Sequence, residues 1–259
     1  MRVKKVLHDL VVLKNEHLNK RHFVLELQAP EPLPAIYPGQ FVQVLVKDSA
    51  STFLRRPFSF HAVDTVKNSF RLLIQIKGEG SRHLSSLREG DKINVIYPLG
   101  NSFTLPPGKN VLLVGGGCGV APLLFLGHWL KDQGVTVTIL TGWKRKEDIF
   151  EKDSYSECGE LLITTEDGSK GETGMVTGHS IFKSGRTFDR IYCCGPERMM
   201  KTISHMATRK DIDCEVSLEN TMACGFGVCL CCITPTISGN QRVCMEGPVF
   251  NTKVLGWES

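Results

Sequence analysis

The densest chemistry in the sequence lies near its end, in a run that reads Cys224-Gly-Phe-Gly-Val-Cys229-Leu-Cys231-Cys232 and is followed, after a gap of eleven residues, by Cys244. With Cys231 set aside the spacing is C-x4-C-x2-C-x11-C, which suits four thiolates converging on a [2Fe–2S] cluster. Three sulfurs come from one tight loop and the fourth from a distant strand, so the loop must fold closely over the inorganic sulfides. Gly225 and Gly227 permit this, because glycine accepts positive φ and carries no Cβ to clash. A structural zinc would match the C-x2-C with a second close pair, and Cys244 stands alone. A disulfide framework needs an oxidising compartment, to which nothing in the chain points. Cys231 is an extra thiol beside Cys232, and either sulfur of that pair could be the ligand. A cluster of this kind moves single electrons, so the rest of the chain should hold a source or sink for them.

Four further stretches carry chemistry. In Arg55-Arg56-Pro57-Phe58-Ser59-Phe60 a guanidinium can grip a phosphate in bidentate fashion, Phe58 can lie against a planar ring, and Ser59 can bond to its edge. Lys77-Gly78-Glu79-Gly80-Ser81 leads into a short helix, where free N–H groups and the helix dipole suit a pyrophosphate. Gly115-Gly116-Gly117-Cys118-Gly119-Val120-Ala121-Pro122 ends an apolar strand and resembles a dinucleotide loop, but in the order GGGxGxAP. No Asp or Glu closes the following strand, where Thr141-Gly142-Trp143 stands, so the spacing suits a dinucleotide that binds, reacts and leaves. Cys193-Cys194-Gly195-Pro196-Glu197 ends another strand, where ligands of open α/β sheets sit. A free thiol there is commonly an apolar filler, yet its place beside the glycine loop makes Cys194 the candidate for nicotinamide contact. Lys144-Arg145-Lys146 reads as a solvated loop, although a site for a 2′-phosphate would look similar.

The elements that must position these residues fall into three blocks. Strands are expected over Val3 to Leu13, His22 to Leu27, Gln40 to Val46, Phe70 to Lys77 and Lys92 to Tyr97, with turns at Pro38-Gly39 and Glu89-Gly90-Asp91. Short strands at that spacing indicate a barrel or sandwich, with one short helix over Ser81 to Leu87 capped by Ser81. Beyond residue 104, strands over Asn110 to Gly115, Thr136 to Leu140, Glu160 to Thr165 and Arg190 to Cys194 alternate with helices over Ala121 to Asp132 and from Pro196 to about Thr208. That alternation implies a parallel sheet with crossovers. The expected fold is therefore a β barrel plus an α/β unit, divided as 1–104, 105–212 and a small lobe over 213–259 that holds the terminal cysteines.

Composition narrows the function. Of 259 residues, 31 are Lys or Arg and 27 are Asp or Glu, a balance too mild to indicate nucleic acid, and no basic run is interleaved with aromatics. No apolar run approaches the length that spans a bilayer. His8 and Asp9 interrupt the opening segment, so no signal peptide is expected. Ten cysteines without such a signal point to a reducing cytoplasm.

Arg56-Pro57-Phe58-Ser59, Gly80-Ser81, Gly115 to Pro122, Cys194-Gly195-Pro196 and the terminal cysteine loop, in this order, resemble the ferredoxin–NADP reductase superfamily over nearly the whole chain. With Cys244-Met-Glu-Gly-Pro-Val-Phe250 after the loop, the chain is similar to electron-transfer subunits of class 1B dihydroorotate dehydrogenase. The resemblance implies a six-stranded antiparallel barrel that binds FAD, a parallel-sheet domain that binds a dissociable NAD, and a [2Fe–2S] lobe. It assigns Arg56, Pro57, Phe58 and Ser59 to the flavin, with Gly80 and Ser81 at its pyrophosphate and Ile74, Gln75 and Ile76 on the strand lining it. Gly115, Gly116, Gly117, Gly119, Pro122, Gly195 and Pro196 fall to the nicotinamide nucleotide, Cys194 to its reacting end, and Cys224, Cys229, Cys232 and Cys244 to the iron. It further implies an FMN-bearing partner that oxidises dihydroorotate to orotate in pyrimidine biosynthesis, in an assembly of two copies of each subunit. This chain would then be a conduit, since nothing in it supplies a base for dihydroorotate. Small subunits of NAD(P)H-dependent ferredoxin reductases and of sulfide dehydrogenase resemble it over the same span, but typically have Asp at the first cluster position, where Cys224 stands. A zinc-stabilised interaction module is the reading from another class; such a protein would be colourless.

Overall fold

The computed structural model describes residues 4–47 and 51–257. The first block contains β1 (Val6–Asn19), β2 (His22–Gln28), β3 (Phe41–Val44), β4 (Arg56–Ser59), β5 (Ala62–Asp64), β6 (Ser69–Gln75), the short helix α1 (Glu79–Leu84) and β7 (Lys92–Leu99). The strands hydrogen-bond in the order β4-β3-β7-β1-β2-β6-β5, antiparallel throughout. Only Phe60 and His61 separate β4 from β5. The Phe60 N–H donates to the Gln40 carbonyl at 3.2 Å and the His61 N–H to that of Arg71 at 2.9 Å. One stretch, Arg56 to Asp64, thus runs along both edges of the sheet and curls it into the expected barrel. Alternation fills the interior with Leu10, Val12, Val42, Val44, Leu72, Ile74, Val95 and Tyr97, all fully buried.

The second block contains β8 (Asn110–Gly116), α2 (Ala121–Asp132), β9 (Thr136–Trp143), α3 (Lys152–Cys158), β10 (Glu160–Thr165), β11 (Glu172–Thr173), β12 (Arg190–Cys194), α4 (Glu197–Thr208) and β13 (Asp213–Ser217). After these come the hairpin β14 (Ile233–Thr236) and β15 (Gly239–Arg242), and finally β16 (Val249–Asn251). The second sheet has the order β11-β10-β9-β8-β12-β13-β16, parallel except where β16 joins β13. Strand order reverses between β8 and β12, so the crevice at their carboxyl ends is the natural ligand position of such a sheet.

The differences from expectation are local. Val3, where the first strand was expected to begin, lies outside the described residues. That strand also runs beyond Leu13 to Asn19, its polar second half pairing with β2 across two register shifts. The short helix starts earlier than expected, at Glu79, so Ser81 is not its cap. The Ser81 hydroxyl reaches back instead and accepts the N–H groups of Lys77 at 2.9 Å and Gly78 at 3.1 Å. The parallel sheet takes in Asp213–Ser217, past the boundary expected at 212, because Cys214 and Val216 are buried beside β12. The tail returns to this sheet through β16, and Asn101 ties it to the linker after the barrel. The Asn101 side-chain amide donates to the Glu246 and Val249 carbonyls, and its Oδ1 accepts the Val249 N–H, at 2.8–2.9 Å.

Barrel and sheet are also joined through a buried ion network. His61, fully buried on the barrel, meets the Ala121 carbonyl at the start of α2 and the Glu151 carboxylate before α3, each at 2.7 Å. Arg71 of β6 pairs with the other oxygen of Glu151. Burial pushes the Glu151 carboxyl up, but His61 and Arg71 outweigh it and hold it below the ordinary carboxylate value.

Candidate cofactor crevice and cysteine loop

A cavity of about 1200 Å³ opens where the three blocks meet. The barrel contributes Gln75 and Lys77, the carboxyl edge of the sheet contributes Gly116 to Gly119, Gly142 to Lys144 and Gly195 to Thr202, and the tail contributes Ile233 to Ile237 and Trp257. Close approach of two backbones builds its floor. A Cβ at Gly119 would stand 2.4 Å from the Cys194 carbonyl oxygen, so the glycine loop and the end of β12 touch only because glycine is there. Cys194 itself is buried, and burial, with Glu219 and Cys118 nearby, pushes its thiol well above the ordinary value. The Cys118 thiol is pushed up to about 12, chiefly by burial. Both therefore remain protonated thiols near neutral pH.

On the barrel, β4 carries the stretch expected to meet the flavin. Cross-strand pairs share a face. Phe58, opposite Val42, accordingly packs against the barrel core, whereas Pro57 and Ser59, opposite Gln43 and Phe41, face outward. Ile74 of β6 is buried in the core and Ile76, just past the strand, packs partly against it, so that of Ile74, Gln75 and Ile76 only Gln75 lines the cavity. What the buried Ile74 can offer a cofactor is backbone, whereas Phe58 and Ile76 keep part of their side chains exposed. The two arginines separate as well. Arg55 donates to the backbone carbonyls of Gln43 and Asn94 and so holds β3 to its neighbours. The Arg56 side chain lies over the start of α1, its Nε 3.5 Å from where a Gly80 Cβ would be. The first N–H groups of α1 have no intrahelical partners, so Arg56 and the Gly80 backbone together present donors to an anion.

In the tail, Gly225 (φ +78°) and Gly227 (φ +90°) wind the loop so that its N–H groups converge on sulfur. Burial pushes the Cys224 thiol up, but the N–H groups of Cys229 and Phe226, the Cys229 side chain and the Val228 N–H outweigh it and bring it to about 6. Cys232 and Cys244 form a second, buried pair: the Cys244 N–H donates to Cys232 Sγ at 3.4 Å. Burial and Cys232 push the Cys244 thiol up to about 12. Cys231 is exposed and joins neither pair. Among the described residues no three His, Cys, Asp or Glu side chains converge as a single metal ion requires. Two pairs of thiols, one of them ringed by N–H donors, instead suit two irons bridged by sulfide.

Lys144, Arg145 and Lys146 are all exposed beyond β9, and only Lys144 lines the cavity. Gln43, His22 and the His61–Glu151 pair were not singled out from sequence. A glutamine inside the apolar run Phe41-Val-Gln-Val-Leu-Val46 was the one available signal among them.

Comparison with known proteins places these features. Residues 219–256 match the iron-sulfur cluster binding domain of dihydroorotate dehydrogenase B, and residues 9–103 match an oxidoreductase FAD-binding domain. The chain is 39% identical over 218 residues (83% of this chain, 85% of the relative) to the electron transfer subunit of dihydroorotate dehydrogenase B (NAD(+)) of Caldanaerobacter subterraneus subsp. tengcongensis. It is 38% identical over 245 residues (91% and 93%) to that of Desulforamulus reducens. Among solved structures, a chain of the NADH-dependent reduced ferredoxin–NADP oxidoreductase superposes with a TM-score of 0.87 at 29% identity, covering 96% of this chain and 90% of that one.

Proposed function

The chain belongs to the electron transfer subunits of dihydroorotate dehydrogenase B, and we propose that it carries electrons between NAD(H) and the catalytic subunit of that enzyme in pyrimidine biosynthesis. The observation that carries this reading is the contact between the two redox segments: the cysteine loop, at Gly225, packs directly on β3, the strand beside Arg56–Ser59. When bound, FAD exchanges a hydride with NAD(H) as an electron pair and passes single electrons to and from a [2Fe–2S] cluster. Cys224, Cys229, Cys232 and Cys244 would hold the cluster iron, and the loop N–H groups would stabilise the negative charge on sulfur. Arg56 and the backbone at Gly80 and Ser81 would hold the flavin pyrophosphate, with Pro57, Phe58, Ser59, Ile74, Gln75 and Ile76 as the candidates for its ring system. The glycine loop from Gly115 to Pro122, with Gly195 and Pro196, takes the nicotinamide nucleotide at the reversal of strand order. Cys194, a protonated thiol buried at the end of β12 behind the cavity lining, would adjoin this site through Gly195 without serving as a base. We place the protein in the cytoplasm, where ten free cysteines remain reduced; no helix among the described residues is long and apolar enough to cross a membrane.

Absorbance of the purified protein, with iron and flavin assays, tests the cofactor assignment. Flavin bands with broad absorption at longer wavelength, and two irons per chain, are expected. A colourless protein containing zinc would contradict it.

A further inference from the structure

Gln43 sits at the seam between the barrel and the cysteine loop, and the fold itself makes no use of its amide. Its side chain is fully buried, yet neither the amide nitrogen nor the amide oxygen has a hydrogen-bond partner. Leaving a buried polar group unpaired is destabilising, and a branched aliphatic residue would fill a strand such as Phe41-Val-Gln-Val44 without that penalty. Alternation along β3 turns Val42 and Val44 into the barrel and Phe41 and Gln43 outward. The outward face is covered by the tail, where Phe41 shares a core with Cys232, Val243 and Cys244. The amide itself lies on the residue after Cys224: a Cβ at Gly225 would stand 2.6 Å from Gln43 Cγ and 2.8 Å from Nε2. On its flanks are Pro57 of β4 and Ile96 of β7.

We propose that Gln43 is a cofactor-tuning residue whose amide N–H is donated to the sulfur of the cluster held by the Cys224–Cys229 loop. The proposal rests on the [2Fe–2S] reading above. A glutamine amide offers two donors, and its nitrogen is next to the loop whose other N–H groups already converge on Cys224. Hydrogen bonds to the sulfurs are among the factors that set the potential of such clusters. A donor favours the more negative, reduced state, so Gln43 raises the potential of the cluster and makes it a better electron acceptor.

The test is a redox titration of the cluster, followed by electron paramagnetic resonance, in the wild type, Gln43→Met and Gln43→Leu. Both substitutions remove the donor and keep the site filled. The variants should retain iron and flavin, melt no lower than the wild type, and favour the oxidised cluster about tenfold more, a shift of about 59 mV to more negative potential for one electron. An unchanged cluster potential in a loaded variant overturns the proposal, as does a shift confined to the flavin. Loss of folding in both variants would assign the amide to structure and overturn it equally. A wild type that binds neither iron nor flavin would instead remove the reading underneath, a different and separable outcome.

Discussion

Cys231 and Cys232 are adjacent in the chain and opposite in environment. Cys232 is buried against Cys244, while Cys231 faces solvent. Cys231→Ser should therefore keep the full iron content, and Ser at Cys224, Cys229, Cys232 or Cys244 should lose most of it, as an iron assay and the visible spectrum would report. Iron lost from Cys231→Ser but kept in Cys232→Ser would reverse the assignment. The ligand candidates were legible in the sequence because cluster geometry dictates the spacing of thiolates along the chain. Gln43 was not, because its meaning depends on Gly225, a contact between residues far apart in sequence that no local pattern encodes. Phe58 and Ile74 show the complementary limit: spacing identified the strands that carry them, while strand pairing decided which face each side chain takes.

At the scale of elements, the strands and helices with strong local patterns were legible: β10, β12 and α2 begin and end where their apolar runs and glycine stops place them. Short or late elements were not. β13 and β16 owe their existence to neighbours already in the sheet, and α3 follows Glu151, whose positive φ of 48° is held by tertiary partners. Glu151 locks that segment to His61 and Arg71 of the barrel. Removing one member of a buried ion network is costly, so Glu151→Ala should lower stability by about 3 kcal/mol in denaturant unfolding. The carboxyl of Glu151 lies below its ordinary value of 4.5, so its contribution is present above that pH and is lost as pH falls through the folded value. Wild-type stability should accordingly decline more steeply with acid below about pH 4.5 than that of Glu151→Gln; parallel declines would show that the network does not titrate. The loop after β9 bears on the nucleotide. Only Lys144 of its three basic residues reaches the cavity, and the curated relatives are NAD(+) enzymes. NADH should reduce the flavin faster than NADPH at matched concentration. The opposite order would make Lys144, Arg145 and Lys146 the readers of a 2′-phosphate.

At the scale of the molecule, the cysteine loop presents an apolar surface. Phe226, Val228 and Leu230 are 44%, 75% and 58% exposed, so they do not pack the tail against the sheet. An exposed apolar patch beside the cysteine loop fits a docking face, and we propose the catalytic subunit as its occupant, since transfer from the cluster requires a short edge distance. A charge at the centre of such an interface is poorly tolerated. Phe226→Glu should slow dihydroorotate-dependent NAD(+) reduction by about tenfold, the effect of ~1.4 kcal/mol, and leave NADH-dependent dye reduction nearly intact. Equal loss of both activities would place Phe226 in the structural core instead.

The measurement that bears most directly on the conduit itself compares the isolated chain with the reconstituted pair. Alone and loaded with its cofactors, the chain should pass electrons from NADH to artificial acceptors and leave dihydroorotate untouched. With the catalytic subunit added, dihydroorotate should reduce NAD(+). Dihydroorotate oxidation by the isolated chain, or no NAD(+) reduction by the loaded pair, would contradict the account.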